Sequence, residues 1–383
     1  MSLNPAWTHD LTIRPDDMVN SVAISDDAGR VAAATWYHNY SRMPGPSPFG
    51  SYAVYLLDKD GNELWHDRID NCYQGFYSVA ISGTGNVAAA GGWLDDPPGP
   101  ERVGLVRAYN AADSTKLFSE DPSFPDRVNS VALSADGKVL AAGADRLYIF
   151  LAESDGTFAN PALVASPPTN PVNSVAVHPT GTWVVSCDQA GNVCLSTIAS
   201  GAIQQTFVFN DPGIHFHSMA VARSSDFFAA GGSDFVYLFS KNSMMQSAPG
   251  PVAPRQQTSG SVRSVAISDN GGFITGVSNN QTTGLITAFG REMGALIKAW
   301  EKPLNFKPNG TSVDSTGKFV AAADGFDADQ PGGTFYLFDS FGKKIGDLGT
   351  TKMNWPIAVS ADGTGVAAGS DEGKVYFFVP QDQ

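Results

Sequence analysis

Positive charge is what this 383-residue sequence has least of: 24 Lys and Arg stand against 38 Asp and Glu, a formal charge of −14. Binding nucleic acid by phosphate neutralisation needs clustered Lys and Arg, and no such cluster occurs, so that class of partner is excluded. Charge of either sign is scarce, at 16% against roughly 25% for an average soluble domain. There are three cysteines, Cys72, Cys187 and Cys194, too few for a disulfide framework. No apolar run approaches the length of a membrane-spanning helix. Met1 to Asp10 carries neither a basic nor an apolar stretch, so no secretory signal is expected, and the compartment stays open. What the chain has in plenty is turn formers, 40 Gly and 24 Pro, alongside 11% aromatic residues. Many short strands joined by tight turns produce that mixture; a mainly helical protein does not.

One phrase recurs along the whole chain: Ser-Val-Ala-Ile-Ser, a short Gly turn, then a strand of small residues. It stands at Ser21–Ser25 with Gly29, Ser78–Ser82 with Gly85, Ser130–Ser134 with Gly137, and Ser174–His178 with Gly181. Ser218–Ala222 uses Ser225-Asp226 instead of Gly, Ser264–Ser268 with Gly271 is faithful, Gly310–Asp314 is degenerate, and Pro356–Ser360 with Gly363 is the last. The last residues of the eight phrases lie at 25, 82, 134, 178, 222, 268, 314 and 360, spaced by 57, 52, 44, 44, 46, 46 and 46 residues. A period of roughly 40–50 residues with four strands per unit predicts a β-propeller. The expected fold is all-β: one domain over residues 1–383, eight four-stranded antiparallel blades.

Within each unit strand a is the phrase and strand b is rich in Ala and Gly. Strand c is bulky, as in Val54–Leu57, Leu147–Phe150, Phe235–Phe239, Phe335–Phe338 and Val375–Phe378. Strand d varies, with Glu63–Trp65, Lys116–Phe118 and Leu296–Ile297 as its clearest examples. Blades converge on an axis, so inner strands have room for small side chains and outer strands need large ones. The eighth unit ends after strand c. An orphan strand, Ala6–Leu11, precedes the first phrase and is expected to complete the last blade and close the ring.

The run Tyr55-Leu56-Leu57-Asp58-Lys59-Asp60-Gly61-Asn62-Glu63-Leu64-Trp65 resembles the tryptophan-docking repeat of quinoprotein-type, PQQ-like propellers. Val106–Phe118 and Phe335–Ile345 echo it. The Ser-Val-Ala-Ile-Ser phrases with their Ala-Ala-Gly strands also resemble WD40-like units, without any Trp-Asp or Gly-His dipeptide. The resemblance covers nearly the whole chain and implies fold; enzymes, scaffolds and outer-membrane assembly factors all use it. The adjacent Cys pair of quinoprotein dehydrogenases is missing, so PQQ is not expected.

Insertions concentrate in three b–c loops, Tyr37–Ser51, Leu94–Val103 and Gly325–Gly333, and in the d–a connection Ser243–Gly260. All open on one face, and long loops in a compact domain mark function. Trp36, Tyr37, Tyr40 and Trp93 flank these loops and are candidate partner-binding residues. The residue before each phrase starts strand a near the axis on the same face. Around the ring these are Asn20, Tyr77, Asn129, Asn173, His217, Arg263, Asn309 and Trp355, a candidate ligand-binding circle at the axial mouth. Asn also caps turns and bonds local backbone. His217 and Arg263, on neighbouring units, form a candidate anion site.

His215 and His217 share one side of a strand but lack a third metal ligand. Asp327 and Asp329, or Asp95 and Asp96, are weak calcium candidates, and solvated acidic turns explain them better. Asp58–Asn62 reads as a hairpin turn. If the turn after Asp188 is Gln189–Asn192, Cys187 and Cys194 face each other; two buried thiols are favoured over a cross-strand disulfide. No nucleophile elbow, zinc helix, phosphate loop or dinucleotide fingerprint occurs. The sequence therefore points to a monomeric, non-catalytic propeller that binds a protein, a peptide or a polar small molecule through its loop-rich face. It carries no predicted cofactor; PQQ or calcium would be the exception. The alternatives are a quinoprotein or hydrolase with an axial site, and an envelope assembly factor.

Overall fold

The computed structural model describes residues 2–11, 17–37, 49–95, 102–280, 284–326 and 332–381. They form 32 strands and one four-residue helix, Lys241–Met244, and no helix among them is long and apolar enough to cross a membrane. The strands make seven hydrogen-bonded sheets, six of four strands and one of eight. Five of the four-stranded sheets are antiparallel meanders with the phrase as the first strand, as in Val172–Val177, Trp183–Asp188, Asn192–Ala199 and Ala202–Asn210. The eight-stranded sheet holds the first two units, from Met18 to Phe124. A single residue pair, Trp36 with Gly75, joins its halves. Gly75 is needed there: its φ is 84°, and a Cβ would stand 2.6 Å from the Thr35 carbonyl oxygen.

The ends of the chain meet as expected. Strand Trp7–Asp10 pairs with Lys374–Phe378 in the register Trp7 to Phe377 and Asp10 to Lys374, and the Trp7 and Phe377 rings stack 5.0 Å apart. It is the outer strand of the sheet that carries the last phrase, Asn354–Val359.

Two series of hydrogen bonds tie the units together. The first explains the opening serine of the phrase. Ser21 Oγ accepts the Val79 N–H, Ser78 that of Val131, Ser130 that of Val175, Ser174 that of Met219, Ser218 that of Val265, and Ser264 that of Thr311. Each strand a thus offers a hydroxyl to the next strand a, which places these strands around the axis. Where the phrase has Gly310, Ser312 substitutes and accepts from Val359. The second series links the a–b turns. Asp26 N–H donates to Gly83 O, Thr84 to Ala135, Ala135 to Pro179, Ser224 to Asp269, Asp269 to Ser315, Ser315 to Ala361, and Asp362 back to Asp26, all at 2.9–3.1 Å. The one joint without this bond, among the described residues, follows Pro179, which has no N–H to give.

Strand b is small because the next unit needs the room. A Cβ on Gly91 would stand 2.5 Å from Val128 and 2.8 Å from Val131; Gly143 meets Val172 and Val175 in the same way, Gly231 meets Val262 and Val265, and Gly369 meets Val19. On the periphery, Trp7, Trp65 and Trp300 of three outer strands each donate an indole N–H to the next unit's c–d turn, at Lys59 O, Ala111 O and Ser340 O.

Three expectations need correction. No strand runs over Lys116–Phe118: Lys116 makes one isolated bridge to Tyr109, and the outer strand is Ser123–Phe124. The chain leaves the strand path because Phe118 turns inward against Phe150 and Phe158, at 5.0 and 5.4 Å. Cys187 pairs with Val193 and Cys194 with Ser186, because Asn192 belongs to the strand and the loop is one residue shorter than expected. That slip puts the two cysteines on opposite faces of the sheet, and both are free and buried. The loops of the first, second and seventh units are shorter than read, since strand c begins at Phe49, Arg102 and Gly332.

Candidate functional site

The circle of residues before the phrases has a common backbone feature. In the first, second, fourth, fifth, sixth and seventh units the pairing of strands a and b slips by one residue, and the extra residue is Asn20, Tyr77, Asn173, His217, Arg263 or Asn309. In the eighth unit Trp355 and Pro356 together stand opposite the single residue Gly369. A bulge leaves its residue out of the ladder and re-aims its side chain.

The asparagines use that freedom for structure. Asn20 Nδ2 donates to Tyr77 O at 2.9 Å, Asn129 to Val172 O at 2.9 Å, Asn173 to Phe216 O at 2.7 Å, and Asn309 to Asn354 O at 2.6 Å. In every case the acceptor belongs to the start of strand a in the following unit. These four donors therefore clamp neighbouring units. They neither cap their own turns nor point unpaired into the mouth.

His217 and Arg263 differ. Neither makes a hydrogen bond or ion pair with a described residue, and Arg263 is exposed. Burial, the Arg263 guanidinium and His215 together hold the His217 imidazole below the ordinary histidine range. The His217 side chain is half-buried. Among the described residues no three His, Cys, Asp or Glu side chains converge as a metal site, so His215 and His217 stay a pair.

Across the mouth the two aromatic members of the circle join the two loop-flanking tryptophans. Trp355 meets Trp36 edge-on at 5.9 Å, Trp36 meets Tyr77 at 5.6 Å, and Tyr77 meets Trp93 at 6.4 Å. Arg127 closes the row, its guanidinium 5.3 Å from the Tyr77 ring and 5.9 Å from that of Trp93. Tyr77 Oη donates to Gln74 Oε1 at 2.7 Å. Trp36, Tyr37 and Trp93 are 4%, 5% and 8% exposed. They are strand-end residues that support the mouth from beneath, since strand b runs through Trp36 and on to Asp95. Tyr40, Asp96, Asp327 and Asp329 lie outside the described residues, as do the side chains of Asp95 and Cys72. The Asp58 carboxylate is used by its own turn, accepting from Asp60 N, Asn62 N and Asn62 Nδ2 at 2.9 Å.

Sequence reasoning missed Arg127, which stands two residues before Asn129 in no recognisable motif, and it missed the opposite mouth. There Arg223 reaches across the axis to Asp26, with its Nε 3.9 Å from Asp269. The a–b turn at Arg223 is the one without a phrase glycine, and that irregularity was the available signal.

A family model described as "WD domain, G-beta repeat" matches residues 162–195. No curated protein sequence matches the chain. Solved structures do. Sqt1 of Chaetomium thermophilum, bound to the N-terminus of ribosomal protein L10, superposes with a TM-score of 0.67 over 97% of this chain and 100% of its own, at 15% identity. A chain of the mitotic checkpoint complex gives 0.61 over 100% and 96%, at 15% identity. The RRP9 WD40 repeats give 0.57 over 84% and 91%, at 14%. None of these is a quinoprotein. At such identities the likeness shows architecture alone, and that architecture is the WD40-type β-propeller.

Proposed function

We propose that the chain is an eight-bladed propeller that serves as a non-catalytic, protein- or peptide-binding scaffold and works through its loop-rich face. The eight-stranded sheet is read as two blades touching at Trp36 and Gly75, because that one pair is the whole of the strand pairing between its halves. Sqt1, similar in fold, is a structure bound to a protein N-terminus, which favours a peptide segment as the ligand class.

The observation that carries the reading is the division of labour around the mouth. Four asparagines are consumed by the joints between units, whereas His217 and Arg263 have no structural employment among the described residues. A cation at the rim with no partner of its own suits a carboxylate on a bound segment. Trp355 and Tyr77, backed by the buried Trp36 and Trp93, offer an apolar flank for the neighbouring side chain.

The test compares proteins captured from cells by the wild type, by an Arg263→Glu and His217→Ala variant, and by Lys59→Glu on the far face. A partner lost only with the mouth variant supports the assignment. A partner retained by the mouth variant, or lost equally with Lys59→Glu, overturns it.

A further inference from the structure

The turn Asp339–Lys343, between strands c and d of the seventh unit, is built like Asp58–Asn62 of the first. In both, the Asp Oδ1 accepts the N–H groups two and four residues on, at 2.9 Å. In both, a glycine with φ near 80° follows, 77° at Gly342 and 84° at Gly61. In both, a tryptophan of the preceding outer strand lies flat on that glycine: a Cβ would stand 2.7 Å from Trp300 or from Trp7. The second and fifth positions exchange polar residues, Lys59 for Ser340 and Asn62 for Lys343, and only the third changes from polar to apolar. The first turn has Asp60 and the second has Phe341, 85% exposed. Nothing in the turn's own hydrogen bonding calls for an aromatic there.

Beside Phe341 lies a cleft of about 210 Å³, floored by Phe319 and Ile345 and rimmed by Lys318, Lys343 and Gln381. Lys318 and Lys343 are exposed, and Lys318 Nζ is 4.9 Å from the Phe319 ring. Asp339 is the one acid in the lining, and its Oδ1 is occupied by the turn. In a chain of charge −14 this rim reverses the local sign. We propose that the cleft is a second docking site, on the face opposite the mouth, for an acidic linear segment. One large apolar side chain of that segment fills the cleft against Phe341, and flanking carboxylates meet Lys318 and Lys343. The scaffold would then hold two partners at once, one on each face.

The probe is a fluorescein-labelled peptide, Glu-Asp-Glu-Leu-Phe-Glu-Asp, with a counterpart in which every acid is Lys. The acidic peptide is expected to bind the wild type, more weakly as salt rises, and at least about tenfold more weakly to Phe341→Asp. That variant restores the residue of the sister turn and so keeps its hydrogen bonding. Lys343→Glu weakens binding several-fold, and the lysine peptide does not bind. Equal affinity for Phe341→Asp and wild type, equal binding of the lysine peptide, or no anisotropy change up to about 1 mM overturns the proposal. So does a dimer that Phe341→Asp converts to monomer in sedimentation, which assigns the patch to a second copy of the chain. Arg263→Glu leaves this binding unchanged, so the two faces are judged separately.

Discussion

Arg223, in the turn after the fifth phrase, forms its ion pair with Asp26, in the turn after the first. The pair spans the axis and bolts the a–b mouth. Asp269 shares the guanidinium, and burial, reinforced by Asp26 and Asp314, holds its carboxyl above the usual range despite Arg223. Both partners of the bolt are about a third exposed, at 34% and 35%, so Arg223→Ala is expected to cost no more than about 1 kcal/mol. The sign of its pH dependence follows from Asp269. A carboxyl raised in the folded state leaves the protein more stable when protonated, and that stability is lost as pH rises through the folded value. Without Arg223 the rise is larger, so the variant's deficit grows as pH climbs above the ordinary carboxylate range. Thermal midpoints of both proteins across that range check this; a constant or shrinking deficit contradicts it.

Asn173 and Arg263 occupy equivalent bulges and should separate stability from binding. Asn173→Ala removes the 2.7 Å bond to Phe216 O and is expected to cost about 1 kcal/mol. Arg263→Ala removes no bond to a described residue, so its urea midpoint should match the wild type while capture of the mouth partner is lost. Reversed results would show that the clamp and the anion site have been exchanged.

Asp324 is buried and accepts from Phe306 N, Thr334 N and Tyr336 Oη at 2.7–2.9 Å. Burial outweighs these bonds and pushes its carboxyl up to about 6. Since the folded value exceeds the ordinary one, stability is greatest with Asp324 protonated and falls as pH climbs from about 4 to about 6. Asp324→Asn has no proton to lose. The wild type's stability relative to this variant should therefore drop by on the order of 3 kcal/mol across that window and stay level above it. Denaturant titrations at intervals of pH measure the drop, and a flat difference refutes it.

Cys187 and Cys194 should resist alkylation in the native protein. Burial drives the Cys187 thiol far up and that of Cys194 to about 12, so almost no thiolate is present at neutral pH. Peptide mapping after iodoacetamide should find both unmodified until denaturant is added. Native labelling of either would place it outside the core.

Much of the architecture was legible because it is repetitive. The phrase fixed strand a, its serine proved to be the unit-to-unit link, and Ala and Gly marked strand b because neighbouring valines such as Val128 and Val131 press on it. The site was harder to read. Polarity at Asn173 was visible, but the direction of its amide depends on a bulge that only strand pairing reveals. Arg127 carries no motif and becomes relevant because folding lays it over Tyr77. Cys187 and Cys194 are buried thiols as expected, but their facing one another missed by one residue of loop length, and in a strand one residue is a whole face.

The pairing of Trp7 with Phe377 joins the first of the described strands in chain order to the last, about 365 residues later in synthesis. Until Lys374–Phe378 emerges, Trp7–Asp10 has no edge to join, and the Trp7 indole cannot yet sit between that strand and the Lys59 turn. A nascent chain held just short of Lys374 should therefore remain an open arc, sensitive to protease around Trp7–Asp10, and snap shut only on release.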